Sequence, residues 1–166
     1  FESFVREEAG TLLGFFRRRG ADRSEAEDLT QEVFLRVLRG LPSYRAEGRE
    51  EAWIFTIARN VMLNHRRQRV GEPDREELRG EEPARPDDPS DRLALDEALS
   101  RLSELDRDVF LLREVGGLGH DEIGAICDLS HHATRSRIYR ARESLRETLV
   151  RRPGAKVTRF RRESNP

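Results

Sequence analysis

Residues 120–150 read HDEIGAICDLSHHATRSRIYRARESLRETLV, and the fold follows from where this stretch breaks. Ile123 and Ile126 place apolar side chains on one face of a short helix, predicted over residues 120–127. The run Asp128-Leu129-Ser130 interrupts that pattern: Leu129 can plug a turn and Ser130 can cap the helix that follows. From His131 to about Val150 the helical spacing resumes, with Thr134, Ile138, Ala141, Leu145 and Leu149 in one stripe. The opposite face carries His132, Arg135, Ser136, Tyr139 and Arg140, donors or flat rings suited to phosphates and base edges. A short helix, a tight turn and a second helix with a basic face is the layout of a DNA-reading helix-turn-helix. An ordinary helical hairpin with a solvated face is the competing reading. The small Ala141, the polar turn and the near-absence of acids on the outward face weigh against it.

Upstream of this motif the same module is predicted to begin near Ser90 or Asp91 as an N-cap. Leu93, Leu95, Leu99 and Leu102 suit one helix, and Val109, Phe110, Leu112 and Val115 a second that ends at Gly116-Gly117. Residues 70–90, VGEPDREELRGEEPARPDDPS, hold Pro73, Pro83, Pro86 and Pro89 and almost no large apolar residue. Such a stretch buries too little surface to offset its ordering, so it reads as a flexible acidic linker. Residues 1–69 form another helical module. Phe1, Phe4, Val5, Leu12, Leu13 and Phe16 suggest amphipathic turns. Ser24 and Glu27 then match a capping box ahead of Ala26, Leu29, Val33, Val37 and Leu41, with Gly40 and Pro42 as the stop. A third helix is predicted from about Glu50 to Arg69, with Ile54, Ile57, Ala58 and Val61 on one side. With no convincing strand, the fold class is all-α: two small helical domains, 1–69 and 91–150, joined by the 70–90 linker and followed by a basic tail, 151–166.

Charge is distributed unevenly along this plan. The net value of −1 averages over a +8 end, where residues 131–166 carry 11 basic and 3 acidic side chains. A local basic surface is the mark of a polyanion partner. All basic residues but Lys156 are Arg, which suits bidentate contacts but also follows from compositional bias. No run approaches the roughly 18 apolar residues of a membrane span. The one cysteine, Cys127, excludes an internal disulfide framework and fits a reducing cytoplasm.

The helix over 50–69 is the second informative region. Trp53, Thr56, Asn60, Asn64 and Arg67 share one face, and residues 54–69 hold four Arg and no acid. Rings stack on unstacked bases and amides read their edges, so the pattern suits single-stranded nucleic acid. A lone Trp is more often core, and Phe55 too can be packing. His120, Cys127, His131 and His132 match no common zinc spacing. Gly-rich phosphate loops, nucleophile triads and paired carboxylates are missing from the sequence, which gives no reason to expect an enzyme or a cofactor.

Taken together, EAEDLTQEVFLRVLRGLPSYR with EAWIFTIARNVMLNHRRQR resembles region 2, and LSELDRDVFLLREVGGLGHDEIGAICDLSHHATRSRIYRARESLRE resembles region 4, of bacterial RNA polymerase sigma factors of the extracytoplasmic-function (ECF) group. The resemblance spans both modules in the right order. It implies that Asp28, Gln31, Glu32 and Phe34, with Arg36 and Leu38 nearby, dock on core RNA polymerase. It implies further that the loop from Ser43 to Glu51, including Tyr44, and the helix with Trp53, Asn60, Asn64 and Arg67 capture flipped bases of the promoter −10 element. Arg135, Ser136, Tyr139 and Arg140 would read the −35 duplex, with Arg113 and Arg142 on phosphates. An anti-sigma factor that masks the polymerase-binding surfaces is also implied. The sequence departs from the family where His132 replaces a small residue, Ala133 a frequent Thr and Tyr44 a frequent Phe. The alternative is a helix-turn-helix regulator whose N-terminal module serves only for interaction, with no promoter-melting role.

Overall fold

The computed structural model describes residues 2–45, 47–70 and 89–151. Among these the chain forms α1 (Glu2–Arg18), α2 (Arg23–Gly40), a 3-10 turn (Leu41–Ser43), α3 (Glu50–Arg69), α4 (Pro89–Ser100), α5 (Glu104–Glu114), α6 (His120–Cys127) and α7 (His131–Val150). There is no strand element among the described residues, as the 3.6-residue periodicity predicts. Most of the expected linker (71–88) and tail (152–166) lies outside them.

Helices α1–α3 pack on one another through Leu12, Phe15 and Phe16 of α1, Ala26, Leu29, Val33 and Val37 of α2, and Ile54, Phe55, Ala58, Val61 and Met62 of α3. Phe15 stands edge-on to both Phe16 and Phe55, with ring centroids 5.6 Å apart in each pair, a favoured aromatic geometry. Leu41 does not join this core. The helix stops at Gly40, the backbone tightens into the 3-10 turn, and Leu41 is left 38% exposed. The capping box is also displaced from Ser24/Glu27. Asp22 is the extended residue before α2; its carboxylate accepts from Glu25 N (2.8 Å), and Glu25 Oε2 accepts from Asp22 N (3.0 Å). Ser24 already lies within the helix, and Glu27 Oε1 instead accepts from Arg23 Nε. Asp22→Ala should therefore lower stability by about 1 kcal/mol, and Ser24→Ala should leave it nearly unchanged, as read from urea midpoints.

In the second half, α4, α5 and α6 each pack against α7. α4 starts at Pro89, ahead of the expected Ser90 or Asp91, because proline is tolerated in a first turn, where an N–H has no helical partner. Leu93 is exposed (42%), and the small Ala94 and Ala98 are buried with Leu99 instead. Both helices of the helix-turn-helix begin and end where the sequence predicts. Asp128 takes the left-handed conformation (φ 56°) that ends α6, a conformation Asp tolerates better than most residues. Ser130 then caps α7, its Oγ accepting from Ala133 N at 3.1 Å.

The two halves share one continuous apolar core. α1 rests against α5 and α3 against α6, and the Phe55 ring lies beside Gly116. Charged side chains line this seam: Arg18 meets Asp96 (2.9 Å), Arg66 meets Glu104, and Asp108 faces both Arg19 (2.6 Å) and Arg59 (3.1 Å).

Candidate nucleic-acid interface

Helical periodicity divides α7 cleanly. Thr134, Ile138, Ala141 and Leu145 are buried, while His132, Arg135, Tyr139 and Arg140 are exposed and Ser136 is half-buried. These last five line one open recess. Tyr139 is 65% exposed, a large ring left outside the core. Arg137, between them in sequence, turns inward and donates to Asp106 Oδ1 at 2.7 Å. The helix therefore offers Arg135 and Arg140 outward and uses Arg137 to fix itself on α5.

Behind that face, the two side chains assigned to phosphates are held within the protein. Arg113 Nη1 donates to Leu118 O (2.9 Å), and Arg142 Nε donates to Glu114 Oε1 (3.0 Å). His131 and Asp121 meet at 2.7 Å across the turn. The neighbouring His120 is held below the usual histidine range, first by burial and then by Arg113, His131, Arg135 and Arg142.

On α3, Asn60, Asn64 and Arg67 are exposed along one edge, in line with half-buried Trp53 and Thr56. Thr56 Oγ1 donates back to Ala52 O, so it is partly spoken for. Trp53 is neither plain core nor a bare platform. Its ring stacks on Tyr44, with centroids 4.3 Å apart and an interplanar angle of 18°. It also lies so near Gly40 that a Cβ there would come within 2.9 Å of it. Glycine at the end of α2 thus leaves room for the edge of the indole, and Tyr44 stacks on its face from the end of the 3-10 turn.

α2 presents Asp28 and Gln31 to solvent, holds Glu32 half-buried with its Oε1 accepting from Arg36 Nε (2.7 Å), and packs Phe34 partly against the core. Beside them Leu35 (48%), Leu38 (53%) and Leu41 form an exposed apolar row. Sequence reading missed Leu35 and placed Leu41 in the core. The signal was present in α2 as two leucines outside the Ala26-Leu29-Val33-Val37 stripe.

Comparison with known proteins covers both halves of the chain. Residues 4–71 match the family model of Sigma-70 region 2, and residues 92–145 match that of Sigma-70, region 4. RNA polymerase sigma factor CarQ of Myxococcus xanthus is 36% identical over 90% of this chain and 88% of its own length. This chain belongs to the ECF-type RNA polymerase sigma factors. The sigma factor is also 32% identical to ECF RNA polymerase sigma factor SigE of Mycolicibacterium smegmatis, over 91% of this chain and 62% of that protein. Among solved structures it is similar to the sigma factor RpoE from Bartonella quintana, determined with the anti-sigma factor NepR (TM-score 0.78, 25% identity, 92% and 98% coverage). CnrH, determined with the cytosolic domain of CnrY, follows at TM-score 0.68, 25% identity and coverage of 90% and 87%. As an alternative sigma factor, the protein directs promoter-specific initiation of transcription, and the reading as a regulator with an inert N-terminal module is not favoured. Among the described residues no helix is long and apolar enough to cross a membrane.

Proposed function

We propose that residues 1–69 dock the sigma factor on core RNA polymerase and capture the melted −10 element, that residues 91–150 read the −35 duplex, and that 70–90 links the two, with 151–166 a basic tail. Asp28, Gln31, Glu32 and Phe34 form the polymerase-binding face, and the adjoining Leu35, Leu38 and Leu41 give it an apolar centre of the kind partner surfaces bury. Tyr44, Trp53, Asn60, Asn64 and Arg67 receive unstacked bases. The observation that carries this reading is the open row Asn60-Asn64-Arg67 beside the Tyr44–Trp53 stack. A base added to that stack keeps its edge toward the amides, and the guanidinium lies beyond for the phosphate. Arg135, Ser136, Tyr139 and Arg140 contact the duplex, and Arg113 and Arg142 reach phosphates once their internal partners are exchanged.

On this reading the protein contributes positioning and strand capture and has no catalytic step or cofactor of its own; bond formation belongs to the polymerase. It acts in the cytoplasm, where promoter DNA and core enzyme meet. Because RpoE and CnrH were determined with NepR and with part of CnrY, an anti-sigma factor is the further partner proposed here.

Run-off transcription with core enzyme tests the assignment. Asn60→Ala should reduce open-complex formation about tenfold while changing initial duplex binding little, because an amide reading a base edge acts only after the base has left the stack. Permanganate footprinting of the −10 region separates the two stages. Equal loss at both would point to a packing defect and sink the single-strand role.

A further inference from the structure

Two histidines open α7 side by side, and the fold sends them in different directions. His131 turns back toward α6: its Nδ1 meets Asp121 Oδ1 at 2.7 Å, and its ring stands edge-on to His120, with centroids 5.5 Å apart and planes at 89°. His132 is exposed and lines the open recess with Arg135, Ser136, Tyr139 and Arg140. Among the described residues no hydrogen bond or ion pair holds the His132 ring. The backbone beneath it is fixed all the same. Ser130 Oγ accepts from Ala133 N at 3.1 Å, and the buried Thr134 donates through Oγ1 to Ser130 O at 2.9 Å. The cap and the His131–Asp121 contact thus hold the first turn and leave one ring aimed outward.

Position along the helix decides what that ring can meet. His132 precedes Arg135 by three residues, about 4.5 Å along the axis at ~1.5 Å per residue. That is slightly more than one base-pair step of ~3.4 Å. The N-terminal end of a recognition helix is the end that enters the major groove. With Arg135 forked on a guanine, His132 therefore faces the neighbouring base pair. Residues 129–142 include no acid, so no carboxylate in this run competes for the ring.

An imidazole keeps at least one N–H donor in either protonation state. The acceptor that adenine and guanine share in the major groove is N7, which pyrimidines lack. One donor cannot fork as a guanidinium does, so it separates purine from pyrimidine rather than guanine from adenine. This chain carries a ring where the family usually has a small residue, and the added reach is its own. We propose that His132 is a specificity-determining residue, donating to the N7 of a purine in the −35 base pair next to the one read by Arg135. The proposal rests on the reading of α7 as the −35 reader and adds a base contact that this reading does not assign.

Holoenzyme assembled from the full chain and core RNA polymerase tests it, on a promoter duplex selected from a pool randomised at −35. A 7-deazapurine, which replaces N7 by C–H and leaves pairing intact, is placed at each −35 purine in turn. At one position beside that controlled by Arg135, it should weaken wild-type binding about three- to tenfold, as expected for one net hydrogen bond. His132→Ala should weaken the unmodified duplex by the same factor, and the deazapurine there should then cost nothing more, the coupling expected of a direct contact. The ring is exposed, so the fold should tolerate its loss. His131→Ala, whose ring is committed to Asp121, should keep the N7 dependence. N7 dependence that persists at every position in His132→Ala overturns the proposal. So does a loss in His132→Ala that is equal for all duplexes, the mark of a phosphate contact. If neither Arg135→Ala nor Arg140→Ala alters duplex binding, the reading of α7 itself has failed, and the proposal falls with it.

Discussion

Gly124→Ala should destabilise the helix-turn-helix by about 1–3 kcal/mol and abolish tight −35 binding, against the direction that helix propensity alone dictates. Alanine is the better helix former by about 1 kcal/mol, so on local grounds the change should stabilise α6. The tertiary setting outweighs that gain. A Cβ at Gly124 would lie 2.6 Å from Leu129 O and 3.2 Å from Thr134 Oγ1. The first of these is backbone and cannot swing aside. Leu129 N donates to Gly124 O at 2.8 Å, so the turn is folded directly over this residue. Making room for a methyl group must lift the turn, and with it Ser130 and the first residues of α7. The loss should therefore appear in DNA affinity as well as in the melting temperature. Gly10→Ala is the matching control: it lies in α1 with nothing within 4 Å of the added carbon, and it should stabilise by about 0.5–1 kcal/mol. If both substitutions shift the melting temperature upward, the close approach at the turn does not constrain the fold.

That contrast also explains what was legible in the sequence. The bounds of α6 and α7 could be read because every cue was local: apolar spacing, Ser130 as cap, Leu129 as plug, and the break in the pattern at Asp128-Leu129-Ser130. α4 was harder. Leu93, Ala94, Leu95, Ala98 and Leu99 admit more than one apolar stripe, and hydrophobicity favours the one with the larger side chains. Packing against α7 chose instead the face with Ala94 and Ala98, where small residues let the helices approach, and left Leu93 in solvent. At the start of α2 two boxes with the same spacing compete, and backbone geometry selected Asp22/Glu25.

The candidate site divides in the same way. Trp53, Asn60, Asn64 and Arg67 share a face by arithmetic on one helix. The stacking of Tyr44 on Trp53 depends instead on Gly40 and the 3-10 turn. The seam was not legible at all: Arg19 and Asp108 are two charges in a chain that is 38% charged, far apart in sequence, and neither belongs to a local pattern. A buried pair between distant helices leaves no periodic trace.

For the α7 face, Arg135 and Arg140 should part company. Both point outward, and a guanidinium there can either grip a phosphate or fork onto guanine O6 and N7. Arg135 lies just past the Ser130 cap, at the helix end that normally enters the major groove, so the base contact falls to it and the backbone contact to Arg140. Arg135→Ala should relax discrimination at one −35 position by about 1–3 kcal/mol, roughly 5- to 150-fold, while leaving affinity for the already mismatched duplexes nearly as it was. Arg140→Ala should weaken every duplex alike and lower the slope of log affinity against log salt by about one unit. Fluorescence anisotropy on −35 variants across a salt series measures both quantities. Among the described residues neither forms an ion pair that would have to break first, unlike Arg137 and Arg142, which are tied to Asp106 and Glu114. His132 is the side chain best placed to alter this docking, because its exposed ring occupies the first turn, where the family usually has a small residue. Should that ring tilt the helix on the duplex, the two arginines exchange roles, and Arg135→Ala would then lose affinity uniformly with its base preference intact.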